Sequence, residues 1–389
     1  MSLILYFFYG VLILTLSRLF TQLILSGIYN VKGKGRRSEV YPKISLVVPA
    51  YNEEKTIGCC IKSLLGIDYP DYEIVVVDDG SIDRTLEEAR KFESSGVKVV
   101  HQANQGKANA LNNGIRLSEG EVVITVDADT KLHPESLTRI ASRFASNQRL
   151  GAVAGNVKVT PNTGIMNALQ ATEYTTGINL IRKAQSMLGC VMVVPGPMAA
   201  FRRKIVERVG FLSDDTFAED FDITMRILKD GYRVEYEDEA IAYTDAPRSV
   251  EDLMKQRRRW YRGMMQVLEK HRDMYLSRKH GVSGMLGVPS MWFETVSPFL
   301  NIFLVLITVL TSLTIGESLT SLTGLALFLG VELAVEIFAI GLDSTPKARE
   351  LVTAPLLILY NVFLDGVRMM AFTEEVIGVV MKWEKPKRS

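Results

Sequence analysis

Asp127 and Asp129 stand two residues apart with only Ala128 between them, directly after the apolar run Val122–Val126. Carboxylates so placed at a strand end can divide the work at a phosphorylated ligand. One meets a ribose or sugar hydroxyl, while the other holds Mg2+ or Mn2+, whose remaining positions go to water and phosphate oxygens. Two more polar clusters follow apolar runs in the same way. Pro49-Ala50-Tyr51-Asn52-Glu53-Glu54 comes after Ile44–Val48, and Asp78-Asp79-Gly80-Ser81 comes after Ile74–Val77. Any one of them could simply cap a helix or make a turn. Together they predict an electronegative rim suited to a hard divalent cation and its phosphate ligand.

Two later segments add other chemistry. In Phe217-Ala218-Glu219-Asp220 the acids precede the helical run Phe221–Leu228, where a helix dipole favours them. Beyond capping, Asp220 is a candidate general base for an acceptor hydroxyl. In Gln256-Arg257-Arg258-Arg259-Trp260 the residues Gln256, Arg259 and Trp260 are spaced i, i+3 and i+4 and share one helical face. Ser249 with Asp252 resembles a capping box and starts that helix near Val250. Arg257 and Arg258 are expected to point elsewhere, towards lipid phosphates. A basic amphipathic helix on an anionic membrane accounts for the arginines but not for Gln256 or Trp260.

The elements that must hold these residues alternate. Helical stretches Thr56–Leu65, Thr85–Glu93 and Lys107–Leu117 lie between the β-branched runs already named and Val97–Val100. Repeated βα units of this length predict an α/β domain with a parallel sheet and helices on both faces. Ligands then sit at the carboxyl ends of the strands, where the acidic clusters are.

Around this domain the chain is apolar. The 389 residues are 47% hydrophobic with a formal net charge of +1, which argues against a nucleic-acid binder. Cys59, Cys60 and Cys190 fit neither a disulfide framework nor a zinc site and read as reduced thiols. Leu3–Ile28 carries Arg18 as its only charge and is long enough for a bilayer, which needs about 20 residues. The basic run Lys32–Arg37 follows, so the reading is an anchor with residue 32 onward on the cytosolic side. Thr295–Gly316 and Ser318–Leu342 are further candidate spans, the second containing Glu332 and Glu336. Leu351–Leu364 is short for a span and is expected to be re-entrant or interfacial, keeping Lys385, Lys387 and Arg388 inside. The division expected is an anchor over 1–30, a basic linker over 31–42, an α/β domain over 43–249, amphipathic interface helices over 250–290 and membrane or interfacial helices over 291–389. At equal depth in the bilayer either Arg18 snorkels while Glu332 and Glu336 sit protonated or line a wet cavity, or Arg18 pairs with Glu332, with Arg368 as the rival partner.

The ordered set VVPAYNEE, VVDDGS, NQGK, DAD, AED and QRRRW resembles the family-2 glycosyltransferases that make extracellular polysaccharides, among them poly-N-acetylglucosamine, hyaluronan, chitin and cellulose synthases. The likeness spans about residues 43 to 270. It implies a glycosyltransferase A-type domain joined to an α-helical transmembrane region. It further implies that Ala50, Asn52, Glu53 and Asp79 line a uridine pocket with Asp78 beside them, and that Lys107 lies near the diphosphate. Asp127 would contact the nucleotide, Asp129 would coordinate Mg2+ or Mn2+, and Asp220 would be the base. Gln256, Arg259 and Trp260 would stand at the acceptor and diphosphate end, with Gly196 and Pro197 in an acceptor-side loop. Ala218 and Pro195 depart from the usual Thr and Ser.

Gly155-Asn156-Val157, Met198–Arg203, Arg259–Gly263 and the tail at Lys382-Trp383 look closest to the poly-N-acetylglucosamine branch, although a single N-terminal span stands where those relatives often have two. The implied activity is inverting transfer of N-acetylglucosamine from UDP-GlcNAc to a β-linked glycan at the cell membrane, by a multi-pass protein with a cytosolic catalytic domain. Nucleotide sugar, glycan or lipid acceptor, membrane lipids and an oligomer or accessory subunit are the partners implied. A polyprenyl-phosphate or glycolipid glycosyltransferase is the alternative, against which QxxRW counts. A non-catalytic sugar-nucleotide sensor is the reading from a different class.

Overall fold

The computed structural model describes residues 2–32, 41–314, 318–343 and 348–380. Gly33–Arg37 of the basic run and the tail residues Lys382, Trp383, Lys385, Lys387 and Arg388 lie outside the described residues. Helix α1, Ser2–Lys32, leads into an alternating series: β1 Ile44–Ala50, α2 Ile57–Leu65, β2 Tyr72–Asp79, α3 Thr85–Arg90, β3 Lys98–Gln102, α4 Lys107–Leu117 and β4 Val122–Thr125. The two-residue strand β5, Lys131–Leu132, precedes α5 Ser136–Ser146 and β6 Leu150–Val159. Next come α6 Ile165–Glu173 and α7 Leu180–Leu188, joined by a π-helical turn at Tyr174–Asn179. Strand β7 Ala199–Arg202, α8 Arg203–Val209, α9 Glu219–Lys229 and β8 Arg233–Thr244 complete the α/β domain. The remaining long helices are α10 Val250–Lys270, α11 Val288–Thr314, α12 Ser318–Gly341 and α13 Ala348–Val376.

The described strands form one sheet in the order β3-β2-β1-β4-β7-β6-β8-β5. Strand β1 runs parallel to both β2 and β4, with Ala50 opposite Asp78. It is buried on both faces, which explains its continuous apolar run. Ile44, Leu46 and Val48 face Ile57, Ile61 and Leu64 of α2, while Val47 faces Leu111 and Ile115 of α4. Burying each such side chain stabilises by about 1.5–3 kcal/mol. The expected parallel half is therefore present. The other half differs from a purely parallel sheet, because β7 runs antiparallel to its neighbours β4 and β6.

The long helices rest on this domain. Tyr29 of α1 donates its hydroxyl to the Tyr236 carbonyl at 2.9 Å, and Ser26 donates to the Leu180 carbonyl at 2.9 Å. Leu357, Tyr360 and Leu364 of α13 pack on Leu169 of α6 and Leu253 of α10. The segment expected to be short is part of a single 29-residue helix, and among the described residues α13 is the one long and apolar enough to cross a membrane. The Arg18 pairing also differs. Its guanidinium meets Glu294 of α11 at 3.4 Å and lies over the Phe293 ring, rather than reaching Glu332. Arg368 instead lies against Asp365 and the Glu294 carbonyl.

Candidate active site

Because β2, β1 and β4 are adjacent and parallel, their carboxyl ends bring the three polar clusters together. The loops after β1 and β2 are laced to each other. Asn52, at a φ of +54°, donates its backbone N–H to Ser81 Oγ at 3.0 Å, and its side-chain oxygen accepts from the Ile82 N–H at 2.9 Å. Glu53 turns inward to the start of α2, accepting from the Thr56 hydroxyl at 2.8 Å. Ala50 is buried beneath them.

Asp78 and Asp79 are both buried. The first is held by His101 Nδ1 at 2.7 Å. The second accepts from Gln102 Nε2 at 2.8 Å and from the Gln105 and Gly106 N–H groups, each at 2.9 Å. Asp79 thus shapes the turn that presents Lys107 at the start of α4.

Lys107 is the hub. Its Nζ lies 2.7 Å from Asp127 Oδ1 and 3.4 Å from Glu219 Oε1. Burial works against its charge, but Asp127, Glu219 and Asp220 outweigh that and hold its pKa above the usual value. Gly196 closes over this pair. A Cβ there would sit 2.9 Å from Lys107 Nζ and 3.6 Å from the Asp127 carboxylate. The Gly196 N–H donates to Asp220 Oδ2 at 3.2 Å, and its carbonyl accepts from Thr125 Oγ1 at 3.1 Å. Pro197 follows in the same short turn.

Asp220 lies in the first turn of α9 and accepts from the Phe221 N–H at 2.8 Å. Burial, and then the neighbouring Glu219 carboxylate, push its pKa up to about 6 against the opposing pull of Lys107 and the two backbone N–H groups. A carboxyl so poised can accept a proton near neutral pH. Glu219, which the sequence reading treats only as a capping residue, is the second carboxylate that sets this value.

Asp129 is buried beside Thr130 and Thr244, with hydroxyl contacts of 3.4 and 3.5 Å. Among the described residues no group of three His, Cys, Asp or Glu side chains could cage a metal unaided. The carboxylate oxygens of Asp129, and of Asp127 two residues before it, are of the hard kind that Mg2+ or Mn2+ takes together with water and phosphate.

Helix α10 is seated against the Asp220 loop. Its N-terminus is capped as expected, Ser249 Oγ accepting from the Asp252 N–H at 3.1 Å. A Cβ on Gly263 would lie 2.9 Å from Ala218 Cβ and 3.0 Å from the Phe217 carbonyl carbon, so only glycine permits this approach. Arg259 lies one turn earlier on that face, is half-buried and makes no hydrogen bond or ion pair with a described residue.

Arg257 and Arg258 do not reach outwards to lipid. Arg257 is 1% exposed, reaches Glu173 at 2.6 Å, donates to Gln256 Oε1 at 2.7 Å and lies 4.2 Å from the Trp260 ring centroid. Arg258 forms a bidentate pair with Glu374 of α13. Trp260 also packs on Tyr174, with ring centroids 6.5 Å apart. Residues 50–54, 78–81, 107, 127–129, 196–197 and 219–220 are thus gathered around the carboxyl ends of β1, β2 and β4. The Gln256–Trp260 wall is set against them by α10.

Comparison with known proteins bears on this arrangement. Residues 45–210 match the model of glycosyl transferase family 2, and residues 203–269 match that of a chitin synthase-like glycosyltransferase domain. Poly-beta-1,6-N-acetyl-D-glucosamine synthases of Staphylococcus epidermidis and Staphylococcus aureus are each 31% identical to 68% of this chain. The aligned part spans 63% of those relatives' length. The fold is shared with a mannosyltransferase of Pyrobaculum calidifontis solved in complex with GDP-Man and Mn2+, at a TM-score of 0.65 and 21% identity over 95% of this chain and 98% of that one. It is also shared with residues 1–349 of Staphylococcus aureus TarS in complex with UDP-GlcNAc, at a TM-score of 0.50 and 20% identity over 88% of this chain and 94% of that one. Residues 45–210 are a family-2 glycosyltransferase domain.

Proposed function

We propose that this chain is a membrane-bound inverting glycosyltransferase that transfers N-acetylglucosamine from UDP-GlcNAc to a β-linked glycan acceptor. The observation that carries the reading is the pairing of Asp220, raised to about 6, with the Lys107–Asp127–Gly196 cluster at the strand ends. The choice of sugar rests on the N-acetylglucosamine synthases that this chain resembles.

In this reading the nucleotide lies over the β1 and β2 ends, bounded by Ala50, Asn52 and Glu53. Asp129, with Asp127, would hold the divalent cation. When bound, that ion supplies counter-charge for the diphosphate. Lys107 orients Asp127, and the Arg259 guanidinium, which pairs with no described residue, offers further positive charge to the departing diphosphate. Asp220 takes the proton from the acceptor hydroxyl as that oxygen attacks the anomeric carbon. The UDP oxygen leaves from the opposite face, so an α-linked donor gives a β-linked product. Trp260, backed by the buried Tyr174, would offer aromatic surface on which the acceptor ring can rest.

The long helices would hold the domain at a lipid bilayer. Apolar side chains of α1, α11 and α13 stand exposed, among them Phe20, Ile24, Leu306, Val352 and Leu359. Such a row exceeds what a soluble surface normally presents. Together with α12 these helices would make a multi-pass region, with the α/β domain on the cytosolic side.

The test is a screen of sugar nucleotides for Mn2+-dependent UDP or GDP release by the purified full chain in lipid nanodiscs. Release from UDP-GlcNAc above the other donors is expected. Preferential release from another donor would reassign the sugar, and no release from any would remove the enzymatic reading.

A further inference from the structure

One face of α10 runs from Arg259 along the loop that carries Asp220. Arg259, Gly263, Gln266 and Lys270 stand at i, i+4, i+7 and i+11, in a single row on that helix. After Arg259, each member of the row meets the segment around the base. Gly263 approaches so closely that a Cβ would lie 3.0 Å from the Phe217 carbonyl carbon. Gln266 Oε1 accepts from the Phe217 N–H at 3.1 Å. Lys270 Nζ lies 2.8 Å from Asp215 Oδ2 and 2.9 Å from Asp222 Oδ1. His271, which caps the helix, donates Nε2–H to the same Asp222 oxygen at 2.8 Å.

Asp222 is the firm end of this contact. It lies two residues after Asp220 in the first turn of α9 and is fully buried. Its other oxygen accepts from Arg226 Nε at 2.9 Å, and Arg226 donates in turn to the Val209 and Phe211 carbonyls. Burial by itself raises the pKa of Asp222, but the His271 and Lys270 hydrogen bonds and the Arg226 charge bring it down to about 2. A buried carboxylate held by three donors is fixed in place, since each lost partner leaves charge uncompensated. At the other end, Gln266 Nε2 donates to Glu375 Oε1 of α13 at 3.0 Å, so its amide is gripped from both sides.

These ties hold the chain before and after Asp220, at Phe217 and at Asp222. The Asp220 carboxylate itself accepts only from the Gly196 and Phe221 N–H groups among them and its neighbours, which leaves it open to an acceptor hydroxyl. A general base works only within hydrogen-bond reach, and a displacement of about 1 Å can cost about 10²-fold in rate.

We propose that Gln266 and His271 are positioning residues for the transfer. Acting through Phe217 and Asp222, they set Asp220 at a fixed reach from the Arg259 end of α10. The inference rests on the glycosyltransferase reading. Gln266→Met, His271→Ala and His271→Gln should be assayed in nanodiscs with UDP-GlcNAc, Mn2+ and a β-linked N-acetylglucosamine acceptor. Each rate is divided by the number of UDP sites counted by calorimetry, which removes misfolded protein from the comparison. kcat should fall about tenfold in Gln266→Met and His271→Ala, while the KM for UDP-GlcNAc stays within about twofold. His271→Gln offers an amide N–H in place of Nε2–H and should return kcat to within about threefold of wild type. Gln266→Met keeps the side-chain length at a half-buried position, so its result stands even if His271→Ala folds poorly. Unchanged kcat per site in Gln266→Met and His271→Ala overturns this inference alone. A raised KM with kcat intact also overturns it, by assigning the row to donor binding. So does a His271→Gln as slow as His271→Ala, because the hydrogen bond to Asp222 would then not matter. A wild type that releases no UDP overturns the glycosyltransferase reading and this inference with it.

Discussion

At Asp220 two opposing influences meet within one helical turn. Burial and the Glu219 carboxylate favour the protonated acid, while Lys107 and the N–H groups of Gly196 and Phe221 favour the carboxylate. The acid wins by enough to bring the pKa to about 6. A base must be ionised to act, so kcat should fall as pH drops through about 6. Glu219→Gln removes the like charge and should move that acidic limb to lower pH, which a pH–rate profile measures directly. At Asp129 the expectation concerns the cation. Asp129→Ala should remove most of the Mn2+ dependence of UDP binding while thermal stability changes little. Titrations with and without Mn2+ matching those of wild type would reduce the DAD segment to a turn. The places of Asp127 and Asp129 after a strand and of Asp220 at a helix start were legible in the sequence, because each follows an apolar run or opens a helical pattern. The roles of Glu219 and Gly196 were not. Both act on Lys107, which is far away in the chain, and spacing carries no trace of such a contact.

Helix α10 joins the Asp220 loop to the helical layer. Its start was readable from the capping box, and the shared face of Gln256, Arg259 and Trp260 from the helical repeat. The fate of Arg257 was not, because a buried arginine becomes tolerable only through a partner elsewhere, here Glu173 of α6. Glu173 also accepts from the Tyr360 hydroxyl of α13 at 2.8 Å, so one carboxylate ties three helices. Arg257→Ala should destabilise by about 3 kcal/mol or more, since it strands a buried charge. It should also loosen Trp260, and thermal unfolding together with tryptophan fluorescence would detect both effects. The strands β6, β7 and β8 escaped the sequence reading for a related reason. Strand β8 carries Glu235, Glu237 and Glu239, and Glu237 is buried only because Arg143 of α5 meets it. Strand β7 is four residues long and gives no pattern of its own.

Over the whole molecule, α13 is clamped to α10 at the level of the site. Glu374 pairs with Arg258 and Glu375 with Arg262, beside the buried contacts of Tyr261 with Val367 and Ala371. A double-mutant cycle on Arg258 and Glu374 should give a coupling of about 1 kcal/mol, because the pair is bidentate and partly shielded. A coupling near zero would make the clamp incidental. The length of α13 was hidden in the sequence because Asp365 and Arg368 interrupt the apolar run. In the fold these charges meet one another, and Arg368 also lies 4.7 Å from the Tyr261 ring centroid, so the helix continues past them. The same rule governs Arg18. Equal depth along two helices does not decide which carboxylate is adjacent, and lateral packing set Glu294 rather than Glu332 beside it.

The central claim is that Asp220 is the base of a sugar transfer. Its most direct test is UDP release by Asp220→Asn beside wild type, with UDP-GlcNAc, Mn2+ and a β-linked N-acetylglucosamine acceptor, and with UDP affinity measured on both. The account predicts UDP affinity within a few-fold of wild type and transfer reduced by about 10²-fold or more, the scale of a lost general base. Transfer at the wild-type rate with UDP still bound would contradict it.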